Sequence, residues 1–539
     1  MTIRFPLCSL FALIFAITSS AASAENLIDI FNLARKNDPQ WASKKQKYLA
    51  DREKMEQAFG TLLPTAEASA TWAHQEYEGG TYALTPEEAQ KCAIANGYSL
   101  ADIGSDLLGY INTCQTSFFG SVDTNQQYSV KQYGVTVTQP LVRMDRWQRY
   151  KRAKSMDNSA KADLAYSQQD LMIRSSEAYF SVLKAQEELR LATAEEKMLR
   201  AQLSEMKNRY KLGLVRDTDV FEILAQHDLA NAPVIAAQAQ VDALKENLTL
   251  LTGRPIELVS PLPKNIPIDP PQPQQLSDWE DFAKKTNYQL IAAQYLLDAA
   301  EKQVSEAQAG HAPTADLFLD YRHSDTGGGF TPSSDTTTIG VRVSVPLYSG
   351  GIVSSQAREA RHRSQGAKDD VELAKRNAIR ETRQYHTKVM ADVASVNARL
   401  RAVKSNNSSL RAIRQGWESG IRSLTDLLTA QRKVFQARKE YSTSRYDYIL
   451  DTLKLKKAAG VLTPDDLKTL NSWLEAPGSE TVSTVEEETE MDLKQIDDIK
   501  FEKELKTFDD EKKTTSEKSH KSLYDAFKAW RQESSDKKN

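Results

Sequence analysis

Long hydrophobic runs are missing from almost all of this chain. The one apolar run of note, Leu7–Ile17, lies at the very start behind Arg4. Beyond it no stretch of 18 apolar residues occurs, which excludes a transmembrane helix. A basic surplus is missing too. Lys and Arg number 70 against 73 Asp and Glu, for a net charge of −3, and no nucleic-acid-binding motif is present, so nucleic acid is not expected as a partner. Histidine is scarce and scattered. His74, His227, His311, His323, His362, His386 and His520 show no metal-ligand spacing. No Ser/His/Asp grouping, phosphate loop or paired-carboxylate site emerges. The expectation is a protein that is not an enzyme and has no cofactor and no metal.

Cysteine is equally sparse, with three residues. Cys8 belongs to the leading apolar segment, which ends in Ala22-Ser23-Ala24, a small-x-small cleavage pattern. Residues 1–24 therefore read as a signal peptide, with a mature start at Glu25. The two remaining cysteines, Cys92 and Cys114, are expected to form a disulfide in an oxidising compartment. A metal pair is the weaker reading, because no histidines cluster nearby.

Proline is absent from Leu347 to Thr463, where good helix formers dominate. A helix over Ile352–Gln415 would reach roughly 95 Å at 1.5 Å per residue. Its positions Thr382, Tyr385, Val389, Val393, Val396, Leu400 and Val403 recur at steps of three or four, the seam of a helix packed along others. Directly before it, Ile339, Val341, Val343 and Val345 alternate with Gly340, Arg342 and Ser344, the period of a two-faced strand. A strand thus feeds straight into a rod.

The same order occurs earlier in the chain. Helix is expected over Asn26–Leu62 with a stop and restart at Asp38-Pro39, then strand from Thr65, then a polar insertion over 78–125 that holds both cysteines. Strand over Tyr128–Thr138, ended by Pro140, leads to a long helix over Arg146–Lys211. A second helix over Asp219–Leu251 is interrupted by Pro233. A linker over 259–276, overlapping a seven-proline stretch Pro255–Pro273, precedes helix over Ser277–Ala309 and strand over Ala315–Tyr321. Gly134 and Gly340, like Pro140 and Pro346, stand 206 apart; Tyr210 and Trp417, Gly213 and Gly420, Asp219 and Asp426, and Gly253 and Gly460 stand 207 apart. Pro64 and Pro313 are 249 apart, so the first hairpin loop is 43 residues longer than the second. The chain reads as two repeats, 25–258 and 277–474. A tail over 475–539 follows; from Pro477 it carries 17 acidic and 12 basic residues and is expected to be mostly disordered, with a marginal helix over Ser522–Arg531.

Each repeat supplies two strands, four per chain, too few to close a barrel. Either the strands form a small soluble sheet, as in a periplasmic scaffold or adaptor, or several chains share one barrel. Three chains would bring twelve strands, an even number within the known range. Val341, Val343 and Val345 would face lipid while Arg342 and Ser344 face a wet lumen.

The segments Arg209–Val220 and Gly416–Leu427, the Leu63-Pro64-Thr65 turn and the Val345–Gly351 run resemble the TolC family of outer-membrane efflux channels, over roughly Glu25–Leu474. The resemblance implies a mainly α protein with β structure: a homotrimer with a 12-stranded transmembrane β-barrel, four strands per chain, and a long periplasmic α-helical barrel. It implies an outer-membrane exit channel of a Gram-negative bacterium for small toxic molecules or type I secreted proteins. Its partners would be outer-membrane lipid, a periplasmic adaptor (membrane fusion) protein and an inner-membrane pump of ABC, RND or MFS type. Hairpin loops would be extracellular, and helices and tail periplasmic. A periplasmic gate would be held by Thr218 and Asp219 accepting hydrogen bonds from Arg422 and Trp417. Asp426 would form a ring of three carboxylates in the pore, with Thr429 where the family's best-known member has a second Asp. Gly213 and Gly420 would mark the adaptor-docking tip. From the residues alone, Asp219 and Asp426 also read as helix N-terminal caps, and the glycines as turn or C-cap residues.

Overall fold

The computed structural model describes residues 25–78, 91–92, 94–95, 125–263, 266–327 and 333–474. The expected signal peptide, most of the 78–125 insertion with Cys114, and the tail lie outside the described residues. In chain order the elements are α1 (Leu27–Asn37), α2 (Pro39–Gly60), β1 (Thr65–Glu78), β2 (Asn125–Val142), α3 (Met144–Lys211), α4 (Asp217–Thr252), α5 (Leu276–Thr286), α6 (Tyr288–Gln308), β3 (Thr314–Gly327), β4 (Ser334–Ser344), α7 (Ile352–Glu418), α8 (Leu424–Ala458) and α9 (Pro464–Asn471). Among the described residues no helix is long and apolar enough to cross a membrane. The chain divides into two compact units. One takes Lys44–Tyr166 and Tyr288–Ala378; the other takes the chain up to Ser43, Ser167–Asn287 and the chain from Ile379.

The first unit holds an antiparallel meander in the order β1-β2-β3-β4. Its register assigns every residue to a face. Ala66, Ala68 and Ala70 of β1 lie beside Val137, Val135 and Tyr133 of β2. Those three lie beside Leu319, Tyr321 and His323 of β3. Ile339, Val341 and Val343 of β4 complete the same face against Leu319, Leu317 and Ala315. The opposite face carries Glu67, Thr71, Gln132, Thr136, Asp316, Asp320, Arg322, Thr338 and Arg342. Thr136 donates to Asp320 there at 2.7 Å. Among the described residues nothing covers the apolar face: Ile339 is 73% and Val341 58% exposed.

Two expected boundaries are corrected here. β2 does not end at Pro140; it runs to Val142, with a register shift between Pro140 and Val142 against β3. Proline has no N–H for the ladder, and the bulge absorbs that loss without stopping the strand. Likewise α4 passes through Pro233 unbroken. A proline deletes one hydrogen bond and kinks a helix, but buried Ala230, Ala237 and Val241 keep the helix packed on both sides of it.

The second unit is helical. Its core gathers Leu27 and Ile30 of α1, Tyr179 and Phe180 of α3, Leu248 of α4, Trp279 of α5, Val389 of α7, Leu455 of α8 and Leu467 of α9. Tyr179 is buried and donates to Ser260 O at 2.7 Å. One break went unforeseen. The expected helix over Ser277–Ala309 is two helices, because Asn287 leaves the helix and donates to Ala458 O at 2.8 Å. Gly460 presses so closely on this joint that a Cβ there would lie 2.2 Å from Thr286 O. Asn287 follows the other helix break, Asp38, by 249 residues, the offset of the paired prolines.

Also in this unit, the Asp392 carboxyl of α7 lies beside that of Asp451 of α8. Lys388 pairs with Asp451 at 2.8 Å. Burial, then the Asp451 contact, pushes the Asp392 carboxyl up to about 7. An unfolded Asp titrates near 4, so the folded chain holds the extra proton between those values. This contribution is fully present below pH ~4 and is lost as pH rises through about 7. Thermal melting of the helical unit should therefore occur at higher temperature near pH ~5 than near pH ~8. The variant D392N should flatten that dependence; an unchanged pH profile in D392N would count against a shared proton.

Candidate functional site

Two places combine exposure with organised chemistry: the sheet's outer edges and the paired helix turns.

In the sheet, β1 and β4 each pair on one side only among the described residues. Each therefore offers a row of backbone N–H and C=O groups to a further strand. From Ala315 to Asp325, β3 climbs ten residues, roughly 33 Å at 3.3 Å per residue and about 25 Å along the normal for a strand tilted near 40°. That is the height of a barrel's lipid-facing band. Trp72, 78% exposed, stands on the apolar face at the Asp325 end of this span.

The helix turns join α3 to α4 and α7 to α8, and a shared core sets them side by side. Leu199, Leu203 and Met206 of α3, Ile223 of α4, and Leu424, Leu427 and Leu428 of α8 form it, with Leu410, Ile413 and Trp417 of α7 packed against it. Both turns close through a left-handed glycine, Gly213 at φ 71° and Gly420 at φ 74°, which glycine adopts without Cβ strain. Gly213 N donates to Tyr210 O at 2.9 Å and Gly420 N to Trp417 O at 2.9 Å. Around them Leu212, Leu214 and Ile421 are 73%, 70% and 80% exposed.

The carboxylates follow. Asp219 Oδ2 accepts from Arg216 N at 3.3 Å. Asp426 Oδ2 accepts from Ser423 N at 3.2 Å, while Ser423 Oγ accepts from Asp426 N at 3.1 Å, a reciprocal capping box. These Ser423 hydrogen bonds, with the nearby Arg422 charge, hold the Asp426 carboxyl below its ordinary range. Thr218 is exposed, and its N–H donates to Asp217 at 2.8 Å.

The structure brings Thr218, Asp219, Trp417, Arg422 and Asp426 to one end of this four-helix cluster. Within one protomer, however, it does not bond Arg422 or Trp417 to Thr218 or Asp219. The Trp417 ring is instead covered by the Arg209 guanidinium, 5.3 Å from its centroid. Arg422 folds back over Gly416, where a Cβ would lie 2.8 Å from its Cγ; its N–H donates to Gly416 O at 3.0 Å, while its guanidinium forms no hydrogen bond or salt bridge among the described residues. Thr425 Oγ1 donates to Glu222 at 2.9 Å and ties α8 to α4. The sequence reading missed Arg209. A cation one residue ahead of Tyr210, whose counterpart in the other turn is Trp417, was the available sign. Cys92 is buried and disulfide-bonded.

The fold is that of outer-membrane channels. It superimposes on the crystal structure of CusC with a TM-score of 0.65 at 13% identity, covering 81% of this chain and 92% of that one. The Campylobacter jejuni CmeC outer membrane channel gives 0.63 at 14% identity, covering 88% and 98%. By sequence, the chain is 31% identical over 492 residues to the outer membrane protein TolC of Escherichia coli K12, covering 87% of this chain and 89% of that protein. It is 26% identical over 472 residues to the alkaline protease secretion protein AprF of Pseudomonas aeruginosa, covering 87% and 91%. The outer membrane efflux protein family matches residues 107–254 and 281–461, and the chain belongs to that family. It is an outer-membrane exit channel of the TolC type.

Removing the Ser423 cap by S423A should lower local stability at the α8 start by about 1 kcal/mol. Amide hydrogen exchange at Thr425–Leu427 reads this out; protection equal to wild type would show that the box carries no stability.

Proposed function

We propose that three copies of this chain close one twelve-stranded barrel and, with their helices, a periplasmic tunnel. The observation that carries this is a four-stranded sheet with two unpaired edges and one apolar face. In hydrocarbon each unpaired backbone group costs several kcal/mol, and a closed wall removes the edges. Such a duct has no catalytic chemistry. Its energy would come from an inner-membrane pump of ABC, RND or MFS type, reached through a periplasmic adaptor that docks at the Gly213 and Gly420 turns with their exposed leucines and isoleucine. The names of AprF and the related PrtF of Dickeya chrysanthemi point to secreted proteins as one class of cargo. Small toxic compounds are the other.

We infer the gate at the paired turns. Each cap engages one oxygen of its aspartate, so Asp219 keeps a second for a neighbouring coil. Arg422 and the Trp417 N–H are the donors available, and Thr218 adds an acceptor. Three Asp426 carboxylates would ring the constriction and favour cations. With Thr429 one turn on, the ring is a single layer. The Cys92 disulfide would close with Cys114 inside the longer extracellular loop.

Two measurements test this. The purified protein should migrate as a trimer that heat converts to monomer, and a stable single-copy species would defeat the barrel. In planar bilayers, D219A and R422A should each raise single-channel conductance, and D426N should lower cation-over-anion selectivity. Conductance and selectivity equal to wild type in all three would remove these residues from the gate.

A further inference from the structure

Large apolar side chains continue past the strand ends on the side where α3 and α7 begin. The register places Val142, Ala315 and Val343 at one height. Leu141 and Met144 flank Val142 at the end of β2, and just beyond that level Leu347 and Tyr348 after β4 are 93% and 90% exposed. Trp147, in the first turn of α3, is 44% exposed. Behind it an aromatic ladder is anchored in the fold: Trp147 to Tyr150 at 5.9 Å, and Tyr150 to Phe59 of α2 at 5.6 Å.

Lys151 places its Nζ over the Trp147 ring at 5.6 Å. Helical side chains lean toward the helix N-terminus, so this ammonium is carried back one turn, toward the strand ends. The surrounding segment, Arg143–Lys154, holds six basic residues and one acid. Most of those cations are engaged. Arg143 meets Asp145 and Asp316, Arg146 donates to Thr61 O at 2.7 Å, and Arg149 and Arg152 share Glu306. Among the described residues Lys151 has no anionic partner. A cation held by an aromatic face, with no counter-charge, at the rim of an apolar surface is the arrangement that receives a lipid phosphate. Its methylene stem lies on the ring while the ammonium reaches the headgroup level where aromatic belts sit.

We infer that Trp147 and Lys151 form a headgroup site for an anionic phospholipid of the leaflet at this end of the strands. Lys151 takes the phosphate, and the indole, with Tyr348 and Leu347, lies against the glycerol and upper acyl chain. The inference rests on the sheet spanning the outer membrane.

The full-length protein is embedded in nanodiscs of mixed phosphatidylglycerol and phosphatidylcholine, and retained lipids are counted by native mass spectrometry. K151A should lose about five-fold in preferential retention of phosphatidylglycerol, the worth of one cation near an anionic surface, and K151R should restore it. Equal retention by K151A and wild type overturns the site. So does displacement of the lipid by inorganic phosphate, which would mark an anion site indifferent to lipid. Quenching by brominated lipids, compared between wild type and W72F, separates the two levels of failure. If Trp72 is not quenched, the sheet is not in the bilayer and the membrane reading itself falls. If Trp72 is quenched while K151A retains lipid normally, only the headgroup site falls.

Discussion

The unpaired edges of β1 and β4 constrain everything else in the sheet. In water, exposed edges are blunted by charge, proline or a covering element. Here β4 carries Ile339, Val341 and Val343 right to its edge, with nothing over them among the described residues. In the proposed trimer both features resolve together: each edge would meet a strand of another copy and the apolar face would meet lipid. Once the sheet must close, it must also curl, and side chains on its concave face crowd. Gly134 and Gly340 both lie on the polar face. A Cβ at Gly134 would sit 2.6 Å from Tyr321 O, and one at Gly340 would sit 3.0 Å from the Phe318 ring. Phe318 covers Gly340 from the paired strand and is itself capped by Arg342 at 4.9 Å. Glycines of this kind let strands coil closely, and a cross-strand aromatic restores the packing that they forgo.

How far the sequence could be read follows from which forces were local. The alternation of Ile339–Val345 announced β4, because a strand between lipid and lumen must carry its polarity in period two. The Asp38-Pro39 break was legible, because proline acts through its own ring and the residue before it. Asn287 was not. It breaks a run of good helix formers without proline or glycine, and its cause lies 171 residues away at the Ala458 carbonyl and the close approach of Gly460. Pro140 and Pro233 failed in the opposite sense: a bulge and flanking packing accommodate what local rules forbid. At the turns, Asp219, Asp426 and the two glycines were visible because caps are local signals. The Arg209–Trp417 contact was not, because it joins two helices far apart in the chain.

In the proposed gate, the turns would bind stability and gating into the same atoms. Asp426 is held below the ordinary carboxylate range by the Ser423 hydrogen bonds and Arg422. Arg422 would then be the residue on which two tasks meet: in the proposed gate a donor toward a neighbouring coil, and a counter-charge beside its own Asp426. Drawing it toward Asp219 of another copy would relieve Asp426 of a cation just as the entrance closes, strengthening the carboxylate ring in the closed state. Trp417 avoids that competition. The Arg209 guanidinium holds the indole by its face, leaving the N–H at the ring edge as a donor that cannot accept. A tyrosine hydroxyl could rotate and turn acceptor; the indole cannot, so the direction of a hydrogen bond across the proposed gate would be fixed by the choice of side chain.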